Sequence, residues 1–501
     1  MDGDRHPLSQ IGWNACRNGR DGARPLQKIF LAGLAALLLS SCNGSNDAPR
    51  RVFLVTVDTL RADHLGTYGY GRDTSPFLDR LARQSVVFEH ALVQWPKTGA
   101  SFASMFTGQY PHTTGLTHKA DIRIPEGYLT LPEFFRTQGY ATVGVSSNGV
   151  LNTDLGWNRG FDEYLETRTL FGLGAGDQVS YRGTMNAEKV NELALPLLEK
   201  HQADRKLFAW VHYSDPHTPY LLPPGVSNPF LGDPLFAGDR EVVLDNPEAV
   251  EIDGRKDLKF YVAQYDANIR VVDQAISRLL TRLAELGMLD GSLVILTADH
   301  GESLGEHDYY LEHGRLPYNN TLRVPLVFHW PGEKNSARSS GRRIPQPVEL
   351  VDLYPTLRDL VHRKAEVAGL EGKSLLPFLG PQAPKPEQLQ AFRFAFAGAG
   401  GGAPLTHFRT VQDERWQLVF HPPRTTKKGE ELPALYELYD LSQDPLAAHD
   451  LHAGNPEVSR RLAQTLAKWM DGRLWIQPPK GLAADNSEQT LKALKALGYL
   501  K

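Results

Sequence analysis

The chain has 501 residues, of which 41% are hydrophobic and 22% charged, with a net charge of −4 at pH 7. That length can bury a sizeable core and suits two folded units, and the composition is that of a globular enzyme or binding protein. Basic pairs such as Arg50-Arg51 and Lys427-Lys428 are scattered, which excludes the concentrated basic face that nucleic-acid binding requires.

Arg17, Arg20, Arg24 and Lys28 precede an apolar run from Ile29 to Leu39. The run is too short to span a bilayer comfortably and fits the core of a signal peptide. It ends in Leu39-Ser40-Ser41-Cys42, which resembles a bacterial lipobox whose cysteine is acylated. Residues 1–41 are therefore expected to be a lipoprotein signal, with Cys42 lipidated and residues 42–49 a tether. The plainer alternative is an ordinary signal peptide with an incidental cysteine. A lipidated chain would sit in the bacterial cell envelope, facing the periplasm or in the outer membrane. Cys16 would leave with the signal, so no disulfide is expected.

Arg51 to Val57 (RVFLVTV) is an apolar, β-branched run that reads as a buried parallel strand ending at Asp58. Ser75 to Gln84 reads as a helix, with Ser75 placed to cap it and Pro76 at its first position. Ser101 to Phe106 is a small-residue stretch that can open another. Tyr140 to Ser146 and Leu207 to His212 read as short buried strands. Phe260 to Leu286 carries the helical stripe Val262, Tyr265, Ile269, Val272, Ile276, Leu279 and Leu283, with Gly287 where a C-terminal cap belongs. Ser292 to Ala298 is a core strand leading straight into Asp299-His300, and Val324 to His329 is another.

Strands alternating with helices predict an α/β fold over residues 50–365, with a mostly parallel sheet flanked by helices. Ligands of such sheets sit beyond the carboxyl ends of the strands, where Asp58 and Asp299 fall. After residue 365 the pattern changes. Gly398 to Gly402 reads as a loose surface loop, and Thr406 to Phe420 alternates like an antiparallel pair. A smaller antiparallel subdomain over 366–480 follows, then a tail helix in 481–501.

Four segments can carry chemistry. Asp299-His300 after a buried strand are awkward unless partnered, and a metal ion would satisfy both; the alternative is a helix-capping Asp beside a surface His. Asp58 would complete three ligands for one divalent ion. Thr98 stands just before an expected helix start, where N–H groups favour an anion, although such hydroxyls mostly serve as caps. His217, in Asp215-Pro216-His217-Thr218-Pro219-Tyr220, sits on a turn stiffened by two prolines, as a general acid requires. Glu306-His307 through His313-Gly314-Arg315 form a polar loop that can lean over the metal or be merely solvated.

In this order the segments resemble the sulfatase family of the alkaline phosphatase superfamily. The likeness rests on Val57-Asp58-Thr59-Leu60-Arg61-Ala62-Asp63-His64-Leu65-Gly66, the Thr98 segment ending Thr107-Gly108, and the Asp215–Tyr220 turn. It continues through Asp299-His300-Gly301-Glu302, Leu322-Arg323-Val324-Pro325, Val351-Asp352-Leu353-Tyr354-Pro355-Thr356 and Glu437-Leu438-Tyr439-Asp440-Leu441. The resemblance implies an alkaline-phosphatase-like fold and a divalent ion (Ca, Mg, Mn or Zn) held by Asp58, Asp299, His300 and Thr98. It implies Thr98 as nucleophile, His217 and His313 as further catalytic residues, and Asn148 and Arg315 as substrate-binding. Departures are clear. Thr98-Gly99-Ala100-Ser101-Phe102 replaces the family's Cys/Ser-x-Pro-x-Arg, so formylglycine cannot form and the usual Arg is Phe102. Thr59 replaces a second Asp, and His300 stands where many arylsulfatases have Asn. The expected activity is hydrolysis of a sulfate or phosphate ester on a small molecule, glycan or lipid. A phosphoethanolamine-type transferase and a degenerate binding protein are the alternatives. Pocket walls are expected from Leu170 to Gly176 and Phe230 to Glu241.

Overall fold

The computed structural model describes residues 48–470, apart from 118–122, 125, 167–185, 234–239, 243–250, 333–340, 363–364, 401–406 and 426–429. The signal segment, Cys42, the loop Leu170 to Gly176 and the tail helix lie outside the described residues, as does most of the tether and part of Phe230 to Glu241.

Eight strands form the main sheet: β1 (Arg51–Val57), β2 (Val86–Leu92), β3 (Ala141–Ser146), β4 (Glu163–Glu166), β5 (Leu207–Tyr213), β6 (Ser292–Ala298), β9 (Arg323–His329) and β10 (Arg342–Glu349). A ribbon of β7 (Ser303–Leu304) and β8 (Tyr310–Glu312) lies between β6 and β9 in the chain. The sheet order is β10-β2-β9-β6-β1-β5-β3-β4. Only β9 runs against its neighbours; the other pairings are parallel. The expected mostly parallel sheet is what forms. β1, β5 and β6 are apolar nearly throughout because helices cover both of their faces.

β2 and β10 gave no strand signal in the sequence. Half-buried Glu89 and His90 interrupt the apolar run of β2. β10 carries Pro345 and Pro347 and survives as an edge strand, where a missing N–H costs least.

The helices that matter to the site are α1 (Pro76–Ala82), α2 (Thr98–Thr107) and α5 (Leu258–Glu285), with α3 (Leu131–Thr137) and α4 (Ala187–Lys200) between them and α6 (Leu353–His362) and α7 (Pro456–Met470) after. Every apolar stripe residue expected on α5 is buried, and Gly287 follows it at φ +66°. Pro76 opens α1 as expected, but Ser75 does not cap it through its side chain. The Asp273 carboxylate on α5 takes the N–H groups of Phe77 and Leu78 instead, at 3.1 and 2.8 Å, being the stronger acceptor.

A second, antiparallel sheet has the order β11-β12-β13-β16, from β11 (Ala395–Ala399), β12 (Phe408–Gln412), β13 (Trp416–His421) and β16 (Leu435–Asp440), beside a ribbon of β14 (Arg424–Thr425) and β15 (Glu431–Leu432). The alternation over Thr406 to Phe420 thus marks a real hairpin. Leu462 and Leu466 of α7 cover it, against Val411, Leu418 and Leu438. Gly398 is not part of a loose loop. It lies in β11 under Trp95, where a β-carbon would stand 2.7 Å from the indole and 3.0 Å from the Phe408 carbonyl. Gly401 and Gly402 are outside the described residues.

Glu349, fully buried at the end of β10, links the two sheets. It accepts hydrogen bonds from Tyr110 Oη (2.9 Å) and the Phe396 N–H of β11 (3.1 Å), and pairs with Lys373 Nζ at 3.3 Å. Replacing it by Leu strands the lysine and both donors. Glu349→Leu is expected to destabilise the fold by about 3–5 kcal/mol in urea unfolding; a loss under 1 kcal/mol would show the link to be dispensable.

Candidate active site

Strand register builds the site. β1 and β6 lie parallel with Val57 opposite Ala298, so the next residues, Asp58 and Asp299, leave the sheet side by side. Both are fully buried, as is His300. His300 Nδ1 is 2.9 Å from the Gly301 carbonyl, which can only accept, so Nδ1 carries the proton and Nε2 presents its lone pair. That Nε2 lies 3.7 Å from Asp58 Oδ1, 3.5 Å from Asp299 Oδ2 and 3.3 Å from Thr98 Oγ1. Four residues from three segments therefore converge. Thr98 proves to be the first residue of α2, which begins three residues earlier than its small-residue stretch suggested.

Each carboxylate has one oxygen held and one free. Asn148 Nδ2 donates to Asp58 Oδ2 at 2.6 Å; the N–H groups of Thr59 and His300 donate to Asp299 Oδ1 at 3.3 and 2.9 Å. Asp58 Oδ1 and Asp299 Oδ2 are buried with no hydrogen-bond partner among the described residues. Burial pushes both carboxyls up to about 7, and for Asp58 the charge of Asp299 adds to it. Burial pulls the His300 imidazolium below its usual range. Ligand atoms of Asp58, Asp299 and His300 lie within 4.8 Å of one another. Two orphaned carboxylate oxygens facing one imidazole lone pair and one hydroxyl fit a divalent cation, which would satisfy them all.

His313 and His217 stand beside this cluster. The His313 ring is 4.3 Å from that of His300 and 5.3 Å from that of His217. Its Nδ1 is 3.0 Å from Glu302 Oε1, and Tyr220 Oη donates to the other Glu302 oxygen at 3.0 Å. Burial holds the His313 imidazolium well below its usual range, so the ring is neutral. His217 Nδ1 sits 2.8 Å from the Thr218 carbonyl, leaving Nε2 buried and unpartnered among the described residues. Asn148 is at the site, with its amide on Asp58. Arg315 is exposed, its guanidinium over the Tyr309 ring at 5.3 Å, outside the buried cluster.

His212 was not singled out in the sequence. It is the penultimate residue of β5, with Nδ1 3.0 Å from Thr56 Oγ1, which itself accepts from Trp210 Nε1 at 2.9 Å, and with Nε2 3.9 Å from Asp58 Oδ2. Burial pulls it down to about 3, so it stands neutral behind the carboxylate. Its position in LFAWVHY, one residue short of the strand end, was the available signal. Phe102 packs at 4.9 Å against both Trp210 and His212 in an aromatic cluster, so its position supplies no charge.

The fold is thus an α/β sheet, mostly parallel, with an acidic–histidine cluster beyond its strand ends. Residues 50–362 match the family described as Sulfatase, and residues 305–472 match that described as N-sulphoglucosamine sulphohydrolase, C-terminal. The chain belongs to the sulfatase family. An ulvan-active sulfatase from Formosa agariphila is 27% identical over 441 residues, covering 85% of this chain and 80% of its own. Human iduronate 2-sulfatase is 28% identical over 391 residues, covering 64% and 70%. The fold resembles the crystal structure of the phosphonate monoester hydrolase of Agrobacterium radiobacter, with TM-score 0.66, 20% identity, and coverage of 85% of this chain and 96% of that one.

A cation site of this kind is tested by unfolding the chelator-treated protein with added Ca, Mg, Mn or Zn. At a hundredfold excess over Kd, the fitting metal is expected to add about 2.7 kcal/mol of stability. Asp58→Asn and Asp299→Asn should each abolish that gain; an undiminished response in both would place the cation elsewhere.

Proposed function

We propose that the chain is a metal-dependent hydrolase of sulfate or phosphate monoesters that uses unmodified Thr98 as its nucleophile. The observation that carries this reading is Thr98 Oγ1 at 3.3 Å from His300 Nε2, at the mouth of the two orphaned carboxylate oxygens. Asp58, Asp299, His300 and the Thr98 oxygen would hold the ion. When bound, a divalent ion lowers the pKa of a hydroxyl and neutralises charge on an ester oxygen.

The protein's own groups would act as follows. Thr98 Oγ attacks phosphorus or sulfur in line, its proton leaving to solvent, while the bond to the leaving oxygen breaks. The N-terminal N–H groups of α2 hold the non-bridging oxygens. His217, with Nδ1 tied to Thr218, has Nε2 as the atom that protonates the departing oxygen. Neutral again, it takes a proton from the water that attacks the covalent intermediate, and Thr98 recovers its hydroxyl proton. His313, tied through Nδ1 to Glu302 and neutral, is the second imidazole placed to accept a proton from that water. A phosphothreonine is released this way more readily than a sulfothreonine, since the formylglycine route of sulfate elimination is missing. The names of the relatives, one active on ulvan and one on iduronate 2-sulfate, favour an anionic carbohydrate ester as substrate.

Purified protein loaded with each metal in turn is to be assayed on aryl sulfate, aryl phosphate and a phosphodiester. Turnover of at least one is expected, and Thr98→Ala should lower kcat by about 10³-fold or more. Turnover undiminished in Thr98→Ala would remove the nucleophile assignment.

The lipobox-like Leu39-Ser40-Ser41-Cys42 supports anchoring of the mature chain in the cell envelope. Membrane-fraction protein labelled by a fatty-acid probe should become unlabelled on Cys42→Ser; equal labelling would refute the anchor.

A further inference from the structure

An anionic ester is stabilised by positive charge on the protein. Phe102, at the position of the family's usual arginine, is locked among aromatic rings and supplies none. Lys97, the residue before Thr98, is the lysine placed to supply that charge. It occupies the N-cap position of α2 in extended conformation (φ −148°, ψ 137°), yet its side chain does not cap the helix. Its stem lies instead along the turn that carries His313. A β-carbon on Gly314 would collide with the Lys97 side chain, standing 2.8 Å from Cγ and 3.1 Å from Cδ. Gly314 also has φ +91°, so glycine is required there twice over, once for the backbone and once for the lysine stem.

The ammonium makes no hydrogen bond or salt bridge among the described residues. Burial pulls it below the usual lysine range, and the charge of Glu312 opposes that pull. The first intrahelical hydrogen bond of α2 runs from Ser101 N–H to the Lys97 carbonyl at 2.9 Å, so the N–H groups of Thr98, Gly99 and Ala100 lie at an open helix end. One turn in, the Ser101 hydroxyl is fully buried and has no partner among the described residues. A cation on a lined stem, three amides, and the nucleophile's hydroxyl thus share one end of one helix.

We propose that Lys97 is a substrate-binding residue whose ammonium, seated on Gly314, holds the non-bridging oxygens of the ester group beside the α2 N-terminus. The inference deepens the hydrolase reading and rests on it for the identity of the ester, but not for the presence of an anion site. It assigns the charge that position 102 lacks to a residue five places earlier, on the other side of the nucleophile.

The test keeps the stem and changes the charge. Inorganic phosphate and, separately, sulfate are titrated calorimetrically into metal-loaded Thr98→Ala protein with Lys97 intact, with Lys97→Met and with Lys97→Arg. Lys97→Met is expected to weaken binding of at least one of the two anions by about tenfold or more. Lys97→Arg should recover most of that loss, which a purely structural role for the stem would not require. Gly314→Ala, which displaces the lysine without touching its charge, should weaken binding in the same direction. In the active enzyme the same change should raise KM for a dianionic monoester more than for a monoanionic diester. Binding of both anions within threefold of the parent in Lys97→Met, or no measurable binding of either anion to the Lys97-intact protein, overturns the proposal. If no ester is turned over while Lys97→Met still weakens phosphate or sulfate binding, the hydrolase reading fails and the anion site stands.

Discussion

Two carboxylates buried side by side impose the constraint to which the rest of this molecule responds. Asp58 and Asp299 leave neighbouring parallel strands at the same level, deep enough that water cannot solvate them. Burial pushes both up to about 7, and for Asp58 the charge of Asp299 adds to it. An arrangement of this kind persists in a folded protein when a cation resolves it. The surrounding groups are consistent with that resolution. Asn148 and the Thr59 and His300 amides each hold one oxygen in place, and the Gly301 carbonyl fixes the tautomer that turns the His300 lone pair inward. The free oxygens, the lone pair and the Thr98 hydroxyl then face a common point.

The second sheet has a part in this although it contributes no ligand. β11 and the residue after it hold the segment leading into Thr98 and the turn after His313. Gly398 N–H donates to the Gln94 carbonyl at 3.0 Å, three residues before Lys97, and Gly400 N–H donates to the Gly314 carbonyl at 2.9 Å. The Gln94 amide oxygen in turn accepts from Val351 N–H at 2.9 Å. Trp95 lies over Gly398, so closely that no side chain could stand there. The start of α2 and the turn after His313 are thereby held by one strand edge, and the Lys97 stem lies against that same turn. Glu349 ties this edge back to the main sheet. The small sheet works as a clamp on the Thr98 segment, which makes the spacing between Thr98 and His313 a property of tertiary packing.

Much of the site was legible along the chain because its ligands sit where strand physics displays them. A buried apolar run that stops at an acid, as RVFLVTV does at Asp58 and SLVILTA at Asp299-His300, marks a strand end facing a crevice, and the order of the motifs marked the family. The misreadings have local causes. Ser75 looked like a cap, but Asp273, 198 residues away, is the better acceptor and took the amides. Gly398 looked loose because a sequence does not show the indole that presses on it. β10 was hidden by prolines that only an edge position tolerates.

By itself, then, the sequence determined the parallel α/β core, the strand-end carboxylates, the histidine turns and the antiparallel hairpin. All of these follow from periodicities and residue types within a dozen neighbours. Only the tertiary structure decided which oxygen of each carboxylate is held and which is free, that Asn148 serves Asp58, and that Phe102 closes an aromatic cluster instead of carrying charge. It alone set the Lys97 stem against Gly314. Those outcomes depend on strand register and on side chains that meet across 90 to 240 positions of chain, and such contacts are fixed by packing in three dimensions, which no local pattern encodes.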